Sequence, residues 1–110
     1  MSGIVTLYAT FASREEAQRI ARAVVTERLA ACANILGPCQ SVYRWQGRIE
    51  ESEEVAALFK TRAANAQPLI ARIATLHSYD VPAITVWPIA DTLPAYAAWV
   101  EEESQAVDQS

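Results

Sequence analysis

Two long extended segments on either side of Gly47 constrain this chain more than any other feature of its sequence. Residues 40–46 and 49–60 are predicted to be paired strands, because Gly47 marks a tight turn between two segments rich in apolar residues. A strand of about 15 residues reaches roughly 50 Å, whereas a compact chain of 110 residues is only about 34 Å across. The tip of the hairpin must therefore extend beyond its own domain.

The tip of this hairpin carries Tyr43 and Trp45 on one face. In a monomer these rings would form an exposed apolar patch beside an unpaired strand edge, which proteins normally cover. Another subunit is the simplest cover, so the hairpin predicts an oligomer. The alternative is that Gly37 and Pro38 bend the first strand and keep both arms on one domain.

Two further strands and three helices are predicted around the hairpin. The ranges are a strand over 4–11, a helix over about 14–30, an extended segment over 32–36, a helix over about 65–77, a strand over 83–90 and a short helix near Pro94. This order predicts an α+β fold, a ferredoxin-like βαββαβ sandwich with its two crossover helices on one face and an extra C-terminal helix. No linker divides residues 1–110, so we expect a single domain with a frayed tail from about residue 105.

Several residues predict how these elements begin and end. Ser13 and Glu16 have the spacing of a capping box, with the Ser13 hydroxyl accepting a backbone N–H and Glu16 reaching back. Asp91 or Thr92 is predicted to cap the last helix. Pro88 cannot donate to a sheet, so the fourth strand must lie at an edge or carry a bulge there.

The charge balance argues against nucleic acid as a partner. The formal net charge is −4, with +3 on residues 1–48 and −7 on residues 49–110. Nucleic-acid binding depends on basic side chains that neutralise phosphates. Opposite charges on the two halves suggest either complementary surfaces within or between subunits or an ordinary solvated surface.

The sequence also predicts neither a membrane partner nor an exported chain. Uninterrupted apolar runs are far shorter than the roughly 18 residues of a membrane-spanning helix. The N-terminus lacks a basic region followed by a long apolar stretch, so the expected compartment is the cytoplasm.

The composition of the sequence argues against several kinds of chemistry. The only three glycines are Gly3, Gly37 and Gly47, so no glycine-rich phosphate loop can be written. His77 is the only imidazole, and there is no nucleophile motif for it to serve. Cys32 and Cys39 are too far apart along one strand to form a disulfide and are predicted to be reduced. We therefore expect no catalytic activity.

The most concentrated group of polar residues spans 77–80, where a helix is predicted to end. His77 there can bind a metal, titrate near neutral pH or interact with the negative end of the helix, and the last of these is favoured. A second polar group contains four carboxylates between residues 50 and 54. Carboxylates on both sides of a strand do not converge on one ion, so a solvated role that protects the sheet edge is predicted for them.

Four blocks of the sequence closely resemble the CutA divalent-cation tolerance family. They are residues 27–35 (ERLAACANI), 41–50 (SVYRWQGRIE), 53–55 with Lys60 and Thr61, and 76–82 (LHSYDVP). The resemblance covers about residues 4–103. It implies a ferredoxin-like homotrimer whose long hairpins join sheets between subunits, and a role in tolerance or response to copper and other divalent cations.

The architecture of this family also resembles the trimeric PII signalling proteins. This implies a second reading, a regulatory module that binds a small metabolite in the cleft between subunits. The candidate cleft residues are Tyr43, Trp45, Lys60, His77 and Tyr79. An acylphosphatase-like hydrolase has the same fold class, but no phosphate-binding loop for such a reaction is visible.

The resemblance implies a metal-binding role, but only some of the family's candidate ligands are present in this sequence. His77 matches the family's histidine and is the first candidate ligand, with Asp80 and Cys32 as weaker candidates. Some members have a cysteine near the end of the first strand and an acidic residue after the proline, where this chain has Ala9 or Phe11 and then Ala83. Copper prefers thiolate and imidazole donors, so copper or zinc is expected to bind weakly. No cofactor is expected to be required.

Overall fold

A four-stranded antiparallel sheet organises the chain, with strand order β2-β3-β1-β4. The computed structural model describes residues 2–105. Its elements are β1 (Ile4–Phe11), α1 (Arg14–Thr26), β2 (Cys32–Trp45), β3 (Arg48–Arg62), a short 3-10 turn (Ala63–Asn65), α2 (Ala66–Leu76), β4 (Ile84–Pro88) and α3 (Pro94–Glu103). This is the predicted α+β ferredoxin-like βαββαβ arrangement, with the long β2-β3 hairpin and the C-terminal helix. The predicted tail extends into residues 106–110, which lie outside the described residues.

The main core lies between the sheet and the helices α1 and α2. Alternate residues of β1, including Leu7 and Phe11, point into it, as expected from the two-residue period of a strand. Ile20 of α1 and Ile73 of α2 are fully buried against them. A second small cluster joins α3 to the start of β1 and contains Ile4, Ala31 and Val100. Thus α1 and α2 cover one face, and α3 closes one end of the sheet.

The first helix starts as predicted but ends earlier. Ser13 is its N-cap and its hydroxyl accepts the Glu16 N–H at 3.1 Å. The chain then leaves the helix after Thr26 rather than near residue 30, because Arg28 adopts a left-handed conformation with φ of 63°. The Leu29 N–H donates back to the Val24 carbonyl, closing the last turn.

The cap predicted for the last helix was wrong. Leu93 is the N-cap of α3 and makes no side-chain capping bond, while Asp91 Oδ1 instead accepts the Thr92 backbone N–H at 2.9 Å. Pro94 at the first helical position needs no hydrogen-bond acceptor, which permits this start. Pro88 lies on the edge strand β4, as its missing donor required.

The hairpin is as long as the sequence predicted. Its turn is tight, because Gln46 and Gly47 both adopt positive φ values, of 51° and 79°. The predicted break appears as a register shift between Ile35 and Pro38, and pairing resumes beyond it as far as Trp45. The molecule is elongated, with extents of 44 × 32 × 22 Å. Within residues 2–105, none of the helices is both long and apolar enough to span a membrane.

Candidate functional site

A groove of about 520 Å³ lies where the hairpin, the end of β1 and the loop after α2 meet. It is lined by Thr10, Ser41, Tyr43, Trp45, Glu54, Tyr79, Asp80, Val81 and Ala83. Thr10 and Glu54 alternate with Phe11 and Val55, which face α1 and α2. The groove therefore lies on the face of the sheet that these two helices leave uncovered.

A half-buried tyrosine and a buried carboxylate form one wall of this groove. Tyr79 Oη donates to Glu54 Oε2 at 2.8 Å, and only 8% of Glu54 is exposed. Burial raises the pKa of Tyr79 well above its usual value, and the hydrogen bond to Glu54 and its negative charge raise it further. The phenol consequently stays protonated and serves as a donor.

The solvated role predicted for the acidic group was wrong for Glu54. Its place in the two-residue alternation of β3 puts it beneath Tyr79, whereas its neighbour Glu53 is exposed. Sequence reasoning missed Glu54 as a site residue because four carboxylates within five positions looked equivalent. The useful signal was position, since Glu54 borders the continuous apolar run that begins at Val55.

His77 supports the groove from below and has both ring nitrogens engaged. Nε2 lies 2.8 Å from the Thr10 carbonyl oxygen, and Nδ1 accepts the Tyr79 N–H at 3.1 Å. These partners assign the ring proton to Nε2. The imidazole also stacks on Phe11 at 4.9 Å and packs against Tyr79 at 4.7 Å between ring centroids. His77 thereby positions the backbone and ring of Tyr79.

Glu16 ties the start of α1 to the same loop. Its carboxylate accepts the Ser78 N–H at 2.7 Å, the Ser78 hydroxyl at 3.0 Å and the Ala12 N–H at 3.3 Å. The predicted capping box is thus only half formed, because Glu16 reaches Ala12 and Ser78 instead of Ser13. Burial raises the pKa of Glu16, but the hydrogen bonds from Ser78 and Ala12 outweigh it, and the pKa is lowered.

The structure does not bring the three candidate metal ligands together. Asp80 lines the groove, while Cys32 lies at the far end of the sheet, where Sγ is 3.5 Å from Tyr96 Oη. Cys32 of β2 pairs with Lys60 of β3, which in turn pairs with Thr6 of β1. His77 contacts Thr10, which lies about 13 Å further along β1 than Thr6. Among residues 2–105, no cluster of three or more His, Cys, Asp or Glu side chains is arranged to hold a metal ion. Cys32 and Cys39 are both free thiols.

The environment of Cys32 does affect one neighbouring group. Burial, together with the hydrogen bond to Cys32, raises the pKa of Tyr96 to about 12. The Tyr96 phenol is therefore protonated at neutral pH.

Three of the five predicted cleft residues meet within one chain. Tyr43, Trp45 and Tyr79 line the groove, and His77 lies behind Tyr79. Lys60 is elsewhere, because Tyr43 pairs with residue 50 of β3 and Lys60 lies ten residues, or about 33 Å, further along that strand. The Lys60 side chain therefore does not line this groove within one chain.

The overlong hairpin, the two-helix face and the aromatic groove define a ferredoxin-like α+β protein with a surface site of small-molecule size. A family model described as "CutA1 divalent ion tolerance protein" matches residues 5–103. The chain belongs to the CutA family, and the identification made from sequence is confirmed.

Individual relatives agree with this family. "Divalent-cation tolerance protein CutA" of Thermus thermophilus is 43% identical over 95 residues, which cover 86% of this chain and 92% of the relative. "Protein CutA, chloroplastic" of Arabidopsis thaliana is 33% identical over 92% of this chain, which spans only 56% of that relative's length. A solved structure of "the Periplasmic divalent cation tolerance protein CutA" from Archaeoglobus fulgidus superimposes with a TM-score of 0.90 at 35% identity, covering 93% of this chain and 99% of that one.

Proposed function

We propose that this protein acts in tolerance or response to divalent cations, copper among them, as a homotrimer without catalytic activity. Membership of a family named for divalent-cation tolerance supports the process. The assembly is supported by the hairpin tip, whose apolar side chains are left largely exposed by residues 2–105 of the same chain. The proposed role of the protein in cation tolerance is tested by a cell-growth experiment with the variant Val42→Glu/Ile49→Glu, which is described in the Discussion.

The tip carries exposed apolar side chains on both faces, which favours burial between subunits. Strand alternation puts Tyr43 and Trp45 on one face and Val42 and Ile49 on the other. Val42 is 64% exposed and Ile49 is 60% exposed in the single chain. Contiguous exposed apolar surface on a strand edge is costly and prone to aggregation unless a partner covers it.

Light scattering coupled to size-exclusion chromatography checks the assembly directly. We expect the wild-type protein to elute at three times the mass of one chain at micromolar concentration, because each tip is covered by a sister subunit. Dilution should leave this mass unchanged over the measurable range. A monodisperse, folded single chain would contradict the trimer.

Direct metal binding is proposed to be weak, so that any link to cation tolerance does not depend on a tight resident ion. His77 offers no free lone pair, because Nδ1 accepts the Tyr79 N–H and Nε2 faces the Thr10 carbonyl. A metal at His77 would have to displace one of these bonds. Asp80 and Cys32 lie too far apart to complete the same site.

Calorimetric titration with Cu²⁺ and Zn²⁺ tests this directly. We expect only weak heats for the wild type, without a saturating one-to-one site at micromolar metal, and little further change in the variants His77→Ala and Cys32→Ser. A tight site of one ion per subunit that disappears in His77→Ala would overturn the proposal. Circular dichroism serves as the control that His77→Ala remains folded.

A second candidate function is the binding of a small metabolite, as in a PII-like sensor. The groove favours it, because a volume of about 520 Å³ lined by aromatic and polar side chains is typical of small-molecule sites. Screening by thermal shift against nucleotides, organic anions, organic cations and metals distinguishes it from a purely structural groove. In this reading Lys60 of a neighbouring subunit would complete the cleft.

The cytoplasmic compartment stays a prediction. One relative is named as chloroplastic and one similar structure is described as periplasmic, so family membership alone does not establish the compartment of this protein. The absence of nucleic-acid and membrane partners likewise rests on the acidic charge balance and on the short apolar runs of the sequence.

A further inference from the structure

Side chains from three other parts of the chain bind the carbonyl groups at the end of α3. The last carbonyls of a helix have no donor within the helix, so they need donors from elsewhere. The donors here are Arg28, Arg62 and Asn65, and the acceptors are the carbonyls of Glu101, Glu102, Ser104 and Gln105. All of these bonds join residues of one chain, so they do not depend on the proposed trimer.

Arg28 makes the largest number of these contacts. Its Nε donates to the Gln105 carbonyl and its Nη2 to the Glu102 carbonyl, both at 3.2 Å, and Nη2 lies 3.5 Å from the Glu103 carboxylate. The backbone of Arg28 is left-handed, a conformation in which glycine is the usual residue after a helix and arginine is less favourable. The contacts of the side chain with α3 therefore give a physical reason for an arginine at this position.

The helix α3 is weak by its own sequence. Its N-cap makes no side-chain hydrogen bond, and residues 101–103 place three carboxylates in the last turn, where the helix dipole disfavours negative charge. Of the ten residues of α3, only Val100 is buried in the single chain. The helix also follows all four strands along the chain, so it can move away without unpairing any strand. Elements of this kind are the ones that open locally.

We propose that α3 opens from the end of the sheet as a unit of its own, while the four strands stay paired, and that Arg28 sets how often it opens. Opening uncovers the small cluster that contains Ile4 and Ala31, and it separates Tyr96 from Cys32. A glycine at position 28 would suit the backbone better but would lose all the contacts of the side chain with α3.

Hydrogen exchange of the full-length protein, followed by mass spectrometry, tests this with the variant Arg28→Gly. We expect the backbone amides of residues 97–105 to exchange at least about ten-fold faster in the variant, because two hydrogen bonds from a charged group are lost. The amides of α1 should exchange no faster than in the wild type, since glycine favours the conformation that ends this helix. Faster exchange is therefore expected in α3 alone.

Two further variants serve as controls, at a concentration where light scattering gives every variant the wild-type mass. Arg72→Ala removes a comparably exposed arginine that pairs with Glu27, the neighbour of Arg28, and should leave exchange in α3 unchanged. Arg28→Lys keeps the charge near Glu103 but cannot donate to two carbonyls with the fixed geometry of a guanidinium. Its exchange rate in α3 should lie between those of the wild type and Arg28→Gly.

Three results would overturn the proposal. If the amides of α3 in the wild type exchange as slowly as those of β1, α3 opens only when the whole fold unfolds. If exchange in α3 is unchanged in Arg28→Gly, or rises equally in Arg72→Ala, Arg28 does not control the opening. If Arg28→Gly speeds exchange equally in all elements, Arg28 stabilises the whole fold rather than the docking of α3.

Discussion

The double variant Val42→Glu with Ile49→Glu is expected to dissociate the proposed trimer into single chains. Both residues lie near the hairpin tip, on the face opposite Tyr43 and Trp45, so the substitutions leave the groove side chains in place. Burying two such apolar side chains contributes about 3–6 kcal/mol per chain, and placing two carboxylates in the same interface adds an unfavourable desolvation cost. The sum is large compared with the stability of most assemblies.

Light scattering measures the outcome, and Leu93→Glu is the matched control. Leu93 is also an exposed apolar residue, 70% exposed, but it lies at the start of α3, away from the hairpin. The control should keep the wild-type mass, while the double variant should fall to about one third of it. A double variant that retains the wild-type mass would show that the tip does not hold the subunits together.

The same pair of variants connects assembly to cation tolerance. In cells that lack their own CutA protein, we expect the wild type and Leu93→Glu to restore growth at raised copper concentration and the double variant to fail. Expression has to be matched, because an exposed hairpin edge invites aggregation. A monomeric double variant that still protects the cells would separate tolerance from assembly.

Local sequence rules predicted the fold well wherever neighbouring residues determine the structure. The turn at Gly47, the cap at Ser13, the edge position of Pro88 and the break near Pro38 all follow from backbone properties of single residues. The end of α1 did not, because its left-handed residue is Arg28, where a glycine or asparagine is the usual signal. Arg28 instead donates to backbone carbonyls of the C-terminal segment, a contact between residues 74 or more positions apart.

The candidate site was predicted less well because it depends on contacts across the fold. The resemblance to the PII proteins suggested Tyr43, Trp45 and Tyr79 as cleft residues, and these three residues do line one groove. The role of Glu54 was missed, since only the pairing of strands places it under Tyr79. Lys60 was grouped with the aromatic residues although the length of β3 separates them. Distances between such residues can be predicted only when the register of the sheet is known.

Glu16→Ala is the single substitution expected to destabilise the fold most through a polar contact. Glu16 is 7% exposed and accepts three hydrogen bonds, from the backbone of Ala12 and from the backbone and hydroxyl of Ser78. Removing the carboxylate leaves these donors without a partner, at a cost of about 3 kcal/mol. That is a large part of the 5–15 kcal/mol typical of a domain. Urea unfolding at fixed protein concentration measures it.

Glu15→Gln and Glu16→Gln form a matched pair for the pH dependence. Both glutamates lie in the first turn of α1 and interact similarly with the helix dipole, but Glu15 is exposed. Because the folded-state pKa of Glu16 is lowered from its usual 4.5, its carboxylate stabilises the fold above that pH and loses this contribution as the pH falls through the folded-state value. Wild type and Glu16→Gln should therefore differ most near neutral pH and converge in acid.

The convergence in acid distinguishes an ionised hydrogen-bond acceptor from simple packing. A protonated Glu16 and a glutamine have nearly the same shape, so a loss of packing would give a difference that is independent of pH. The Glu15→Gln variant should differ from the wild type only by the small contribution of the helix dipole, about 0.3–1 kcal/mol. Since Ser78 lies between His77 and Tyr79, loss of its bond to Glu16 should also loosen the ring that donates to Glu54. A difference in unfolding free energy between wild type and Glu16→Gln that does not change with pH would contradict the proposed role of Glu16. In that role its ionised carboxylate links α1 to the loop after α2 through hydrogen bonds from Ser78.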